Sequence, residues 1–189
     1  MPDRDVKTVK DQIFFQYAKI IACSAFGFEN GSIAKKEQYG FIKKRFRMLQ
    51  SGEISWSDIL REDKQLVDAE KKCVYCGAAD DLSWEHIVPK SLKIKPECGD
   101  CDAIQSIHNH VWACRRCNSS KGNRGLYAFY QSMMPKEKYY DFLPALVEKK
   151  YLKTIYQCHV CAGTLDSPDA DGNGKMDVLD VDFAVANFI

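Results

Sequence analysis

Four Cys-x-x-Cys pairs, at 73/76, 98/101, 114/117 and 158/161, hold eight of the nine cysteines, and no other feature of this sequence limits its fold as strongly. Such a pair lets two thiolates reach one ion from a tight turn, and two pairs complete the tetrahedral four-thiolate set of a closed structural zinc site. Regular pairing of this kind reads as metal thiolates in a reducing compartment rather than as disulfides. The pairs Cys73/Cys76 and Cys114/Cys117 are expected to share one zinc. Thirty-seven residues separate Cys76 from Cys114, more than a compact zinc ribbon spans, so a structured insertion is expected between them. Cys98, Cys101, Cys158 and Cys161 would make a second four-cysteine site that ties the insertion to the C-terminal region; a redox-active pair or exposed thiols are the alternatives. Cys23, inside an apolar segment, reads as a small buried side chain.

The 46% apolar and 12% aromatic content supports a real core. A net charge of +1 excludes a global basic field, so any nucleic-acid binding must rest on local clusters. The opening Met-Pro-Asp-Arg-Asp is polar and mixed in charge, unlike a signal peptide. The longest apolar stretch, residues 13–28, carries Gln16 and Lys19 and is short for a bilayer span. A soluble cytoplasmic protein with no membrane partner is expected.

Taken in order, residues 11–26 show a wide apolar helical face. A second helix is expected to run to Gln50, with Ile42, Phe46 and Leu49 at helical spacing and Lys35, Lys36, Lys43, Lys44, Arg45 and Arg47 opposite, a basic face that suits solvent or phosphate. Ser55-Trp-Ser-Asp58 resembles a capping pattern for a short helix through Leu66. Further on, residues 126–133 read as a helix, Pro135 suits the start of another, and Pro144 begins one that places Val147, Tyr151 and Ile155 on one face. The division is a helical region 1–68, a core 69–126 and C-terminal helices 127–189, packed as one unit. The fold class is α+β: a mainly helical chain around a small two-stranded finger with structural zinc.

The core contains Leu82-Ser-Trp-Glu-His-Ile-Val-Pro89, whose alternation predicts a strand over 82–88 that Pro89 ends. Neighbours on a strand point to opposite faces, so Glu85 and His86 need not compete for one position. Cys117-Asn-Ser-Ser-Lys-Gly122 should open a helix, presenting the Asn118 amide. A carboxylate and an amide oxygen are hard ligands suited to Mg2+ or Mn2+.

In Cys73-Val-Tyr-Cys-Gly77, Trp84-Glu-His-Ile-Val-Pro89, Asn109 and Cys114-Arg-Arg-Cys-Asn-Ser-Ser-Lys-Gly122, and in their order, the chain resembles the HNH endonucleases. The resemblance covers about fifty of the 189 residues. It implies a ββα-metal finger in which His86 is the general base, Glu85 and Asn118 hold the catalytic divalent ion, and Asn109 orients the histidine or its loop. Phosphodiester hydrolysis fits these groups: it needs a water deprotonated near neutral pH and a cation to neutralise charge on the phosphate. Two departures stand out: the stretch from His86 to Asn109 is long and contains the 98/101 pair, and Asn109 is flanked by His108 and His110.

The function expected from this resemblance is a metal-dependent endonuclease or nickase acting on DNA, with RNA as a further candidate. Arg115, Arg116, Lys121 and Arg124 would contact backbone phosphates. One His86 per chain supplies one cut, so double-strand cleavage would take a homodimer, sequential nicking or a partner subunit. The alternative is a zinc-dependent nucleic-acid-binding module that does not cut.

Near the C-terminus Asp169, Asp171, Asn173, Gly174, Lys175, Asp177 and Asp180 fit calcium-loop positions 1, 3, 5, 6, 7, 9 and 12, with Lys175 offering its carbonyl. Position 12 is Asp rather than Glu and no entering helix precedes the loop, so it resembles a dockerin-type loop. It would bind structural Ca2+ and could dock a partner; the alternative is an acidic turn capping the helix that begins near Leu179.

Overall fold

Thr8 and Gly27 delimit the first helix: the Thr8 hydroxyl accepts from the Asp11 amide at 3.2 Å, and Gly27, at φ +64°, returns its N–H to the Cys23 carbonyl. The computed structural model of the chain describes residues 3–27, 36–90, 102–133 and 143–186. Within them helices predominate: α1 (Val9–Phe26), α2 (Lys36–Ser51), α3 (Ile59–Asp68), α4 (Asp102–Gln105), α5 (Arg115–Lys121), α6 (Leu126–Met133), α7 (Ala145–Ala162) and α8 (Val178–Ala186). The described strands are β1 (Leu82–His86) and β2 (His110–Cys114), an antiparallel ribbon. A 3-10 turn, Ile107–Asn109, feeds β2. This is the expected α+β class. The helix expected at Pro135 lies outside the described residues.

Helix α7 is the hub, packing against α1, α3, α4, the 3-10 turn and α8. Its boundaries follow from sequence: Pro144 cannot donate a backbone bond and precedes the first turn, while Gly163, at φ +69°, caps the end. The core draws on all three sequence regions, with Ile13 of α1, Phe46 of α2, Val111 of β2, Tyr127 of α6, Tyr151 of α7 and Val181 of α8 in one apolar cluster. Two ion pairs couple α3 to α7. The buried Glu62 pairs with Lys153. Lys150 donates to Asp63 at 2.7 Å and to the His110 carbonyl at 2.9 Å, fixing β2 against both helices.

Of the expected second four-cysteine site, only the C-terminal half falls within the described residues. Cys158 and Cys161 sit in the last turns of α7 rather than in a turn of their own, Cys158 buried in the core and Cys161 exposed. A Cys-x-x-Cys spacing is also the i, i+3 spacing of a helix face, and here the glycine that ends the helix comes only after both thiols. The other expected ligands of that site do not test it: Cys98 lies outside the described residues, and Cys101 lies outside them as well. The basic face of α2 is partly neutralised by the N-terminal segment, where Lys43 lies 2.8 Å from Asp5 and 3.2 Å from Asp3. Among the described residues no helix is long and apolar enough to cross a membrane.

Candidate functional site

The ribbon register decides what each residue of the site can do. Glu85 opposes Val111 and His86 opposes His110. Because side chains alternate, Glu85, Val111 and Ala113 share the inner face, buried, while Trp84, His86, His110 and Trp112 share the outer one. The expectation that Glu85 and His86 point apart is met.

Cys73 and Cys76 occupy a tight turn before β1. The Gly77 amide donates to the Cys73 carbonyl at 2.8 Å, at a positive φ of 76° that suits glycine, and the Cys73 amide donates to the Ala78 carbonyl. The Val74 amide donates to the Trp112 carbonyl at 2.9 Å, pinning this turn to β2. Cys114 ends β2 as the N-cap of α5, and Cys117 lies one turn into that helix. The four sulfurs lie within 4.8 Å of one another. The Cys76 and Cys114 sulfurs are 3.8 Å apart, which is the edge, about 3.8 Å, of a tetrahedron built on Zn–S bonds of about 2.3 Å. These four cysteines can therefore hold a metal such as zinc. The Ala78 backbone draws the Cys76 thiol down to about 7, whereas burial raises Cys73 and Cys117.

Among the described residues this is the one four-cysteine cluster, and Cys158 and Cys161 are not part of it. Their expected partners Cys98 and Cys101 fall outside the described residues.

Beside the cluster an open cleft of about 350 Å3 is lined by Trp84, Glu85, His86, Pro89, Lys90, Asn118, Gly122 and Asn123. The structure thus brings together three of the residues singled out from sequence. Asn118 projects from α5 and donates to the Ser83 hydroxyl at 3.4 Å. Asn109 is fully buried: its side-chain oxygen accepts from the Val88 amide at 2.9 Å, and its nitrogen donates to the Val88 and Ile104 carbonyls at 2.8 and 3.0 Å. It staples the segment after His86 to the segment before β2, a positioning role.

Lys121, expected at a phosphate, is instead 1% exposed, with its ammonium 2.9 Å from Glu85 Oε1 and 3.1 Å from the His86 carbonyl. Burial pushes the Glu85 carboxyl up and Lys121 down, each toward neutrality, and their mutual contact opposes both shifts. Arg124 folds back as well, donating to Ser132 at 2.6 Å and lying over the Phe129 ring. Arg115 and Arg116 are exposed, with Arg115 3.5 Å from Asp81.

The residue that sequence reasoning missed is His110. Its Nε2 lies 2.8 Å from His86 Nε2, close enough for either ring to donate to the other. Burial lowers both imidazoles, and neighbouring positive charge, including Lys90, lowers them further. The only signal was a histidine beside Asn109; the pairing follows from the register of β1 on β2, in which His86 opposes His110.

In the acidic segment the carboxylates of Asp169, Asp171 and Asp180 also lie within 4.8 Å of one another. Gly172 and Gly174 take positive φ, and the buried Asp180 accepts amides from Ala170 and Asp177 at 2.7 Å each. Asp177 caps the start of α8 through the Leu179 amide. Asn173 and Lys175 lie on the exposed side of this loop.

Comparison with family models, with curated proteins and with solved structures gives no match.

Proposed function

We propose that the chain is an HNH-type endonuclease or nickase that hydrolyses phosphodiester bonds in DNA. The observation that carries this reading is the shared cleft of Glu85, His86 and Asn118 beside the four-cysteine cluster, with Asn109 fastening the loop between the strands. Zinc on Cys73, Cys76, Cys114 and Cys117 would lock the ribbon to α5, so that groups from β1 and α5 face one phosphate.

His86 acts as general base. Its Nε2 faces His110; when it donates there, the Nδ1 lone pair is left to take a proton from water. The lowered affinity of His86 for protons keeps it neutral at physiological pH, with a lone pair free to accept one. Glu85 and Asn118 are hard oxygen donors that would hold Mg2+ or Mn2+, an ion that supplies charge neutralisation at the phosphate. Lys121 neutralises Glu85 on its Oε1 side. Exposed Arg115 and Arg116 are the candidate backbone contacts, whereas Lys121 and Arg124 are occupied within the chain.

A plasmid-nicking assay with Mg2+ or Mn2+, comparing the wild type with His86→Ala, tests the reading. Cleavage lost at least a hundredfold in the variant is expected, on the order of what a general base contributes; equal cleavage by both proteins would refute it, and none by either shifts the assignment to a non-cleaving zinc-dependent binding module. The acidic loop is a separate proposal for structural Ca2+, carried by the convergence of Asp169, Asp171 and Asp180. Calorimetry without heat of binding at millimolar Ca2+ would remove it.

A further inference from the structure

Trp84 is 52% exposed and lines two cavities at once. One is the cleft of Glu85 and His86. The other is an apolar groove of about 260 Å3 whose walls include Leu60, Leu66, Val67, Ile107 and Trp112. Among the described residues eight large apolar side chains are exposed, and four of them (Leu60, Val67, Trp84 and Ile107) line this one groove. Apolar exposure gathered in this way marks a binding surface, whereas scattered exposure does not.

The chemistry around the groove selects its occupant. Trp84 and Trp112 stack with ring centroids 3.9 Å apart and form an aromatic platform on the outer face of the ribbon. Cations stand on both sides of that pair: the Lys71 ammonium lies 5.1 Å from the Trp112 ring centroid, and exposed Lys90 lines the cleft. A flat ring carried on an anionic chain matches a platform flanked by lysines, and base stacking on such a platform works for any base. The spacing matches too, since residues two apart on a strand are about 6.7 Å apart. A phosphate at His86 therefore leaves its own base within reach of Trp84. A base held in a groove walled by α3 cannot remain in a duplex stack.

Building on the nuclease reading, we propose that the groove receives an unpaired nucleobase stacked on Trp84, so that the substrate is a nucleic acid with single-stranded nucleotides at the cut. Of the three tryptophans, Trp56 packs among Phe14, Tyr17 and Tyr156, so intrinsic fluorescence changes on binding report the ribbon pair.

The test uses the full chain carrying His86→Ala, without added divalent ion, titrated with oligo-dT, oligo-rU and a blunt DNA duplex of equal length. Either single strand should quench the fluorescence and bind at least tenfold more tightly than the duplex. Trp84→Ala should weaken single-strand binding by about five- to hundredfold. Val67→Ser, which changes the groove wall on α3 and leaves the ribbon intact, should weaken it in the same direction. Equal affinity for single strand and duplex, or no effect of either variant, overturns the proposal. So does self-association that Val67→Glu abolishes in a protein that oligonucleotides do not quench, because the groove would then belong to a second copy. The two readings fail separately: quenching without cleavage by the wild type removes the nuclease, and cleavage without quenching removes the groove.

Discussion

The two faces of one five-residue strand do opposite kinds of work. On the inner face Glu85 is buried against α5 and its partner Lys121, alongside Val111 and Ala113. On the outer face Trp84, His86, His110 and Trp112 keep part of their surface in solvent and pair with one another across the ribbon. Strand alternation alone produces this split, so residues adjacent in sequence reach the cleft from opposite faces, Glu85 from a buried setting and His86 from a part-exposed one. The faces meet at the end of β1, where Pro89 and Lys90 join both in lining the cleft. Substitutions on the inner side should therefore be read first in stability, with Glu85 read in cleavage as well, and those on the outer side in binding and cleavage.

The hardest test of that division is Cys117→Ser. Binding of structural zinc contributes on the order of 10 kcal/mol in small zinc modules, comparable with the whole stability of a domain. The variant should lose its zinc and the cooperative unfolding of the ribbon with α5, followed by metal analysis and the near-ultraviolet dichroism of Trp84 and Trp112. Wild-type protein without zinc would remove the metal centre and leave the inner face held by packing alone.

Next in size is the buried pair. Lys121→Met leaves the Glu85 carboxylate unpartnered in the interior, at a cost of about 3–5 kcal/mol, and Glu85→Gln strands the ammonium in the same way. The double variant should recover a large part of the loss, because apolar or neutral groups can replace a buried ion pair at little net cost. Urea unfolding of the three variants measures the coupling. Additive losses would show that the two residues act independently and that the inner face is not organised around their contact.

Asn109→Ala comes third. It orphans the buried Val88 amide and two carbonyls, and the amide alone costs about 1–3 kcal/mol. The loop after His86 should loosen, so hydrogen exchange at Val88 should quicken along with the fall in stability. Unchanged exchange would place the stapling elsewhere.

Much of this frame was legible in the residues. Alternation placed β1 on 82–88, within two residues of its observed end, and Pro144 marked the start of α7, whereas the capping pattern read over residues 55–58 resolves with Asp58, its last residue, as the N-cap of α3. The convergence of Cys73, Cys76, Cys114 and Cys117 was legible because a glycine with positive φ and a helix start, both written locally, shape the two turns. The His86–His110 contact was not, since register across a ribbon depends on the connecting segment and a shift of one residue would exchange the faces. Lys121 was misjudged for a different reason. A lysine beside arginines reads as solvent-exposed, and only the buried carboxylate reached from α5 reverses that. The helical setting of Cys158 and Cys161 was not legible either, because thiol spacing for a turn coincides with helical spacing.

The smallest effect concerns the support beneath the outer face, where Asp63 of α3 holds Lys150 and His108. Burial raises the Asp63 carboxyl, but the hydrogen bonds from Lys150 and His108 more than offset it, so the net shift is below the ordinary value of 3.8. A depressed folded-state value means that the group stabilises the fold above the unfolded value and that this contribution is lost as pH falls through the folded one. Being partly solvent-screened, it is worth under about 1 kcal/mol. Asp63→Asn should therefore lower stability slightly at pH 7, and the gap between wild type and variant should close as pH is taken below 3.8. Urea unfolding over a series of pH values from neutral to acid measures that gap. A gap that stays constant with pH would mean that Asp63 supports the outer face through shape alone, and the Lys150 bridge to the His110 carbonyl would then account for the position of β2 without help from charge.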